Sequence, residues 1–142
     1  MAEVMLVSEI MTRNVKTVRL DTTVREVIAT MLSREIGSIV VVQGERPVGI
    51  ITERDILRAV MTTSIPIESF LAKDAMSTPL ITINAHASID EATRLMKTKR
   101  VKKLVVVDDG KLTGILTHTD VVYHVPEMFR TLEELLRPRR NR

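Results

Sequence analysis

Gly49-Ile50-Ile51-Thr52-Glu53-Arg54-Asp55 is followed 65 residues on (49 to 114) by Gly114-Ile115-Leu116-Thr117-His118-Thr119-Asp120. The same offset carries Met11 to Met76, Thr17 to Thr82, Glu26 to Glu91, Met31 to Met96 and Val40-Val41-Val42 to Val105-Val106-Val107, with no insertion or deletion in the register. A period this long, present only twice, does not describe a solenoid. It describes a small domain duplicated in tandem. A module of about 60 residues buries only about 60% of its unfolded surface and is marginal alone, so the two copies are expected to share a core.

Each copy reads β-α-β-β-α. In the first, a one-turn helix at Val7 to Met11 leads into a short strand at Asn14 to Leu20. Thr23-Val24-Arg25-Glu26 matches a capping box. Val24, Val27, Ile28, Met31 and Leu32 then recur at helical spacing and predict one apolar face. Ser38 to Gln43 is a β-branched run, Gly44-Glu45-Arg46-Pro47 a turn, and Val48 to Ile51 a second strand. Thr52 opens a closing helix expected to turn Ile56, Leu57 and Val60 inward. The second copy repeats the pattern, with a capping box at Ser88-Ile89-Asp90-Glu91 and a hairpin turn at Asp108-Asp109-Gly110-Lys111. The expected division is 1–61 for the first repeat, 62–70 for a linker, 71–123 for the second repeat, and 124–142 for an amphipathic helix with an Arg-rich tail. That helix would start near Pro126, with Met128, Leu132, Leu135 and Leu136 on one face.

The repeated motif has a chemistry of its own. A strand ends at Ile51 or Leu116 and a helix starts with Thr at its N-cap. The first-turn amides of such a helix are unpaired and carry partial positive charge, which suits phosphate. The Thr hydroxyl adds a hydrogen bond. An Asp three residues on presents an acceptor-only carboxylate able to take both hydroxyls of a ribose. Gly49 and Gly114 permit close backbone approach. The same Thr-x-x-Asp spacing is also a helix-capping pattern that needs no ligand. Its pairing with Gly at a fixed offset, in both halves, adds the ligand reading to the capping one.

Composition excludes several other classes. Apolar content of 44% and charged content of 27% are those of a globular protein. Without cysteine there is no disulfide or thiolate chemistry. No apolar run is long enough to span a membrane, and Met1 to Leu6 is not a convincing export signal, so a cytoplasmic location is expected. The net charge of +3 belongs to the end of the chain: setting aside Arg137, Arg139, Arg140 and Arg142 leaves 17 basic against 18 acidic residues. His86, His118 and His124 lack metal-site spacing, and no Ser/His/Asp set, nucleophile elbow or Walker loop is present. No catalytic cofactor or metal is expected.

These motifs resemble those of a tandem pair of cystathionine-β-synthase (CBS) domains, together called a Bateman module, over about residues 7 to 123. The resemblance rests on the two Gly-x-x-Thr-x-x-Asp ends, the Met11-Thr12 and Met76-Ser77 openings, and the Ile39-Val40-Val41-Val42 and Leu104-Val105-Val106-Val107 strands. It implies an α/β (α+β) fold in which two repeats pack with pseudo-two-fold symmetry through their sheets, leaving two clefts between them. It further implies regulatory binding of AMP, ADP, ATP or S-adenosylmethionine, energy sensing on behalf of a regulated partner protein, and pairing into homodimers. Carried over by position, Asp55 and Asp120 would hold ribose hydroxyls, and Thr52 and Thr117 would contact ribose or phosphate. Thr17 and Thr82 would touch the nucleoside, and Ile39 and Leu104 would lie near the adenine. Residues before the central strand reach phosphate in this family. Here they are Gly37-Ser38 in one half and Lys102-Lys103 in the other, which implies two clefts of unequal phosphate affinity and favours a phosphorylated ligand over S-adenosylmethionine. His118 lies within the second motif, where it would either hydrogen-bond a phosphate or face solvent.

The alternative is an interaction scaffold in which the motif is only a pair of helix caps. The C-terminal helix and Arg tail would then contact a protein or nucleic acid through electrostatics. Aromatic content of 2% leaves few platforms on which bases could stack.

Overall fold

The β-branched runs become the centres of two sheets. In the computed structural model, which describes residues 5–124, the chain begins with a one-turn helix α1 (Val7–Ile10) and a short strand β1 (Thr17–Arg19). A parallel strand pair requires a crossover, and helix α2 (Val24–Arg34) provides it, returning the chain to β2 (Ser38–Gln43) beside β1. Strand β3 (Arg46–Thr52) turns back antiparallel to β2 and runs into helix α3 (Glu53–Thr62). The second repeat follows as α4 (Ala72–Ala75), β4 (Thr82–Asn84), α5 (Ile89–Lys99), β5 (Lys103–Asp108), β6 (Lys111–Thr117) and α6 (His118–Tyr123). Both sheets place the second strand of the repeat at the centre. Register repeats too: Val40 lies opposite Thr17 and Ile50, and Val105 opposite Thr82 and Ile115. Both ladders slip at the same place, between Val41 and Val42 and between Val106 and Val107.

Alternation along the central strands sorts the cores. Side chains two apart share a face, so Ile39 and Val41 pack under α2 with Val27 and Met31. Val40 faces the other way and meets Val105 and Ile115 of the second sheet. The two sheets thus pack face to face, as expected.

The one-turn helices are exchanged. Val7 and Ile10 of α1 lie in the core of the second repeat with Leu104, Val106 and Leu116. Ala72 of α4 lies in the core of the first, with Ile39, Val41 and Ile51. Backbone bridges lock the crossings: Thr12 pairs with Ile115, and its positional mate Ser77 pairs with Ile50.

Three expectations need correction. Leu57 is 67% exposed and Val60 is exposed as well, because α3 turns Asp55 and Ala59 inward with Ile56 at the edge. Leu32 at 74% exposure lies off the α2 contact face, which is Val24, Val27 and Met31. Leu32 and Leu57 instead line an apolar groove between α2 and α3 with Ile28, Met31, Ile36 and Ile56. The capping boxes at Thr23 and Ser88 form only their hydroxyl half, accepting from Glu26 N and Glu91 N. The crossing segments do the rest of the capping, because Val24 N–H donates to the Phe70 carbonyl and Ile89 N–H to that of Met5.

The linker, for its part, is not bare chain. It contains a 3-10 turn (Ile67–Ser69), and Phe70 is buried against Val24 and Ala59. The amphipathic helix expected after Pro126 and the Arg tail lie outside the described residues.

Candidate functional site

Both Gly-x-x-Thr-x-x-Asp ends fall where a strand feeds a helix, β3 into α3 and β6 into α6. Each forms a complete capping box. The Asp55 carboxylate accepts Thr52 N–H at 2.8 Å while the Thr52 hydroxyl oxygen accepts Asp55 N–H at 3.3 Å. Asp120 and Thr117 make the same pair at 2.9 and 3.1 Å. This geometry needs no ligand, so it is compatible with both functional readings.

Beyond the cap the two ends differ. Asp55 is 5% exposed, and it is the buried charged residue among the described ones. Its Oδ2 takes a further bond from the Thr52 hydroxyl at 2.9 Å. Its Oδ1 takes the Ser77 hydroxyl at 2.7 Å and faces the Arg58 guanidinium at 3.6 Å. Ser77 comes from the crossing segment of the other repeat. Asp120 is only half-buried, and its Oδ1 accepts no bond among the described residues.

The motif glycines have an occupant already. A Cβ on Gly49 would lie 2.4 Å from Met76 Sδ, and one on Gly114 would lie 2.7 Å from both Met11 Sδ and the Thr12 carbonyl oxygen. The backbone approach that glycine permits is used by the crossing segment of the other repeat.

Between the repeats lies a cavity of about 520 Å³. Its wall joins Thr52, Glu53 and Arg54 of the first repeat to Arg100, Lys102 and Lys103 of the second. Lys102 and Lys103 therefore share a cleft with the first motif. Its apolar surface comes from Ile50, Leu80, Ile81, Val101 and Val105. Ile39 and Leu104 are 0% exposed and lie beneath the sheets. Strand alternation carries the signal: on β5, Leu104 points to the helices and Val105 to the interface. Asp55 and Thr82 are not on this wall, and Thr17 lines a separate cavity by the two hairpin turns, with Glu45, Asp108 and Lys111. His118 is exposed, with its backbone N–H on the Lys102 carbonyl. Arg54, Glu53 and Ser77 are the site residues that motif reading passes over. The first two occupy the variable positions inside Thr-x-x-Asp, and Ser77 follows the repeated methionine.

Among the described residues no group of His, Asp or Glu is arranged to hold a metal ion, and no helix is long and apolar enough to cross a membrane.

Residues 7–62 and 72–127 each match the family model described as the CBS domain. The chain is similar to an uncharacterized protein of Methanopyrus kandleri, 38% identical over 130 residues, covering 90% of this chain and 66% of that one. It is 33% identical over 123 residues to an inosine-5'-monophosphate dehydrogenase of Korarchaeum cryptofilum, covering 86% of this chain and 25% of that enzyme. The chain thus spans no more than 66% of either relative's length. Among solved structures it is similar to a CBS domain protein from Pyrobaculum aerophilum complexed with AMP, with a TM-score of 0.77 and 26% identity, covering 91% of this chain and 99% of that one. It is likewise similar to a conserved protein from Pyrococcus horikoshii, with a TM-score of 0.74 and 27% identity over the whole of both chains. Two matched stretches that coincide with the two sequence repeats leave one conclusion: the chain belongs to the CBS-domain family and carries two such domains as a tandem pair.

Proposed function

We propose that this CBS pair is a non-catalytic regulatory module that binds adenine nucleotides, AMP, ADP or ATP, between its repeats and reports them to a partner protein. The observation that carries the reading is the shared cavity. A phosphorylated ligand seated beside Thr52 of one repeat and Lys102 and Lys103 of the other touches both halves at once. Such a ligand favours one mutual arrangement of the repeats, and a partner that distinguishes arrangements then senses occupancy. The AMP bound by the Pyrobaculum protein supports the ligand class. Within this reading the module acts as a homodimer in the cytoplasm and senses energy state. S-adenosylmethionine ranks below the phosphorylated ligands, because it brings no phosphate to Lys102 and Lys103 and its one carboxylate is outweighed by an ammonium and a sulfonium.

The scaffold alternative stands on the same caps, which at Thr52 and Thr117 are complete without any ligand. A thermal-shift titration separates the two. A ligand at about 100 times its dissociation constant adds roughly 2.7 kcal/mol to stability. AMP, ADP, ATP, S-adenosylmethionine and NADH are to be compared on the full chain. A selective rise in Tm with an adenine nucleotide, reduced in Lys102→Ala/Lys103→Ala, is the expected result. No shift with any of the five would overturn the nucleotide reading in favour of the scaffold.

A further inference from the structure

We propose that the outer helical faces of the two repeats dock a second copy of this chain head to tail. The first repeat of one molecule then packs on the second repeat of its partner. The inference gives a geometry to the homodimer of the reading above, on which it rests, and is independent of nucleotide binding.

The first support is exposed apolar surface. Leu32, Leu57, Val60 and Met61 are each more than half exposed, and Leu32 and Leu57 line the α2–α3 groove of about 670 Å³. Helix α3 buries Asp55 and Ala59 on one side and presents Leu57, Val60 and Met61 on the other, an apolar face that its own repeat leaves open. On α6, Val122 and Tyr123 are exposed as well. Contiguous apolar surface of this kind marks an interaction site. The two faces adjoin. The groove ends at Gly37 and Glu53, and a Cβ on Gly37 would lie 3.9 Å from Lys103 Nζ. The neighbouring Lys102 carbonyl accepts His118 N–H at the start of α6. One partner molecule can therefore lie across both repeats.

The second support is charge, which selects both the occupant and its direction. A shift of 65 residues carries the positions lining the groove onto the corresponding surface of the second repeat. In the first repeat those positions hold two acids, Glu35 and Glu53, and no base. In the second they hold Lys97, Arg100, Lys102 and His118, and no acid. Glu35 and Arg100 correspond even in backbone, since each ends its helix at positive φ, 54° and 56°. A two-fold that stacks like repeats would set Glu35 and Glu53 against their own copies, and Lys97 and Arg100 against theirs. A two-fold that stacks unlike repeats brings acid to base, and symmetry makes that contact twice. Leu57 and Val122 are positional mates, so apolar surface is present in either arrangement and charge decides between them. Like-charge juxtaposition suppresses a wrong pairing, and opposite charges fix the register of the right one.

The chain has no cysteine, so single introduced ones report direction. Leu57→Cys and Val122→Cys place them at exposed, corresponding positions on α3 and α6. Sedimentation of the full chain without nucleotide is expected to show a dimer at micromolar concentration. With a short bismaleimide each variant alone should stay uncrosslinked, whereas the two mixed and allowed to exchange should give a covalent dimer. Glu35→Lys should weaken dimerisation about tenfold or more. Adding Arg100→Glu to it should restore the dimer to within about threefold of wild type, a coupling that a double-mutant cycle isolates. Crosslinking of each variant to itself, or a charge swap that rescues nothing, overturns the head-to-tail arrangement and leaves the homodimer standing. A chain that sediments as a monomer overturns both. Maleimide labelling of Leu57→Cys in that monomer then names the true occupant. Protection lost on removing residues 125–142 would assign the groove to the chain's own C-terminal segment, and free labelling would leave it to a different protein.

Discussion

Gly114→Val is expected to destabilise the protein by about 3 kcal/mol, the upper part of the usual range for overpacking. The glycine conformation is not the reason, since Gly114 is not among the positive-φ residues. The reason is space. The Thr12 carbonyl oxygen stands 2.7 Å from where the new Cβ would go. Thr12 cannot retreat, because its N–H and C=O are both bonded to Ile115, at 2.8 and 2.9 Å. The nearest obstacle at Gly49 is different, being the side chain of Met76. Gly49→Ala should therefore be relieved in part by Met76→Ala, which removes Sδ and Cγ but keeps a Cβ at 3.0 Å, whereas Gly114→Ala should be relieved less by Met11→Ala. Double-mutant cycles in urea read this directly. Equal relief at both glycines would show that the Thr12 backbone is not the constraint.

Asp55→Ala should cost about 2–3 kcal/mol, and Asp120→Ala only about 1 kcal/mol. The smaller figure is that of an ordinary cap. The larger one arises because Asp55 also accepts the Ser77 hydroxyl and the Thr52 hydroxyl in a buried setting, and hydrogen bonds to a charged group contribute about 1.5–3 kcal/mol. Chemical denaturation of both variants decides it. Equal losses would mean that the Ser77 contact contributes nothing to stability.

The sequence carried the architecture further than it carried the site. The 65-residue offset determined the duplication, and the β-branched runs located β2 and β5. Alternation could have separated Val40 from Ile39, and Val105 from Leu104, before any coordinates. Other features left no mark. Val7–Ile10 and Ala72–Ala75 are single turns, and nothing in four residues says which sheet they will cover. The role of Gly49 and Gly114 follows from that crossing, so it was equally hidden. The outward turn of Leu57 and Val60 reflects a choice made by the packing, where small Ala59 and bonded Asp55 take the inner face of α3. The difference between Asp55 and Asp120 depends on Ser77 against Thr12, which sequence comparison treats as a near-equivalence.

The exchange of α1 and α4 bears on how such a pair can be made. A lone repeat would send its leading turn into empty solvent and leave its own sheet uncovered where the other copy's turn now lies. Its natural remedy is a second molecule with arms traded between them. Joining two copies on one polypeptide converts that encounter into an intramolecular one, at the millimolar effective concentration that a short tether supplies. The link from Thr62 to Phe70 can thus be seen as what freed the fold from protein concentration, and neither half is expected to fold when excised alone.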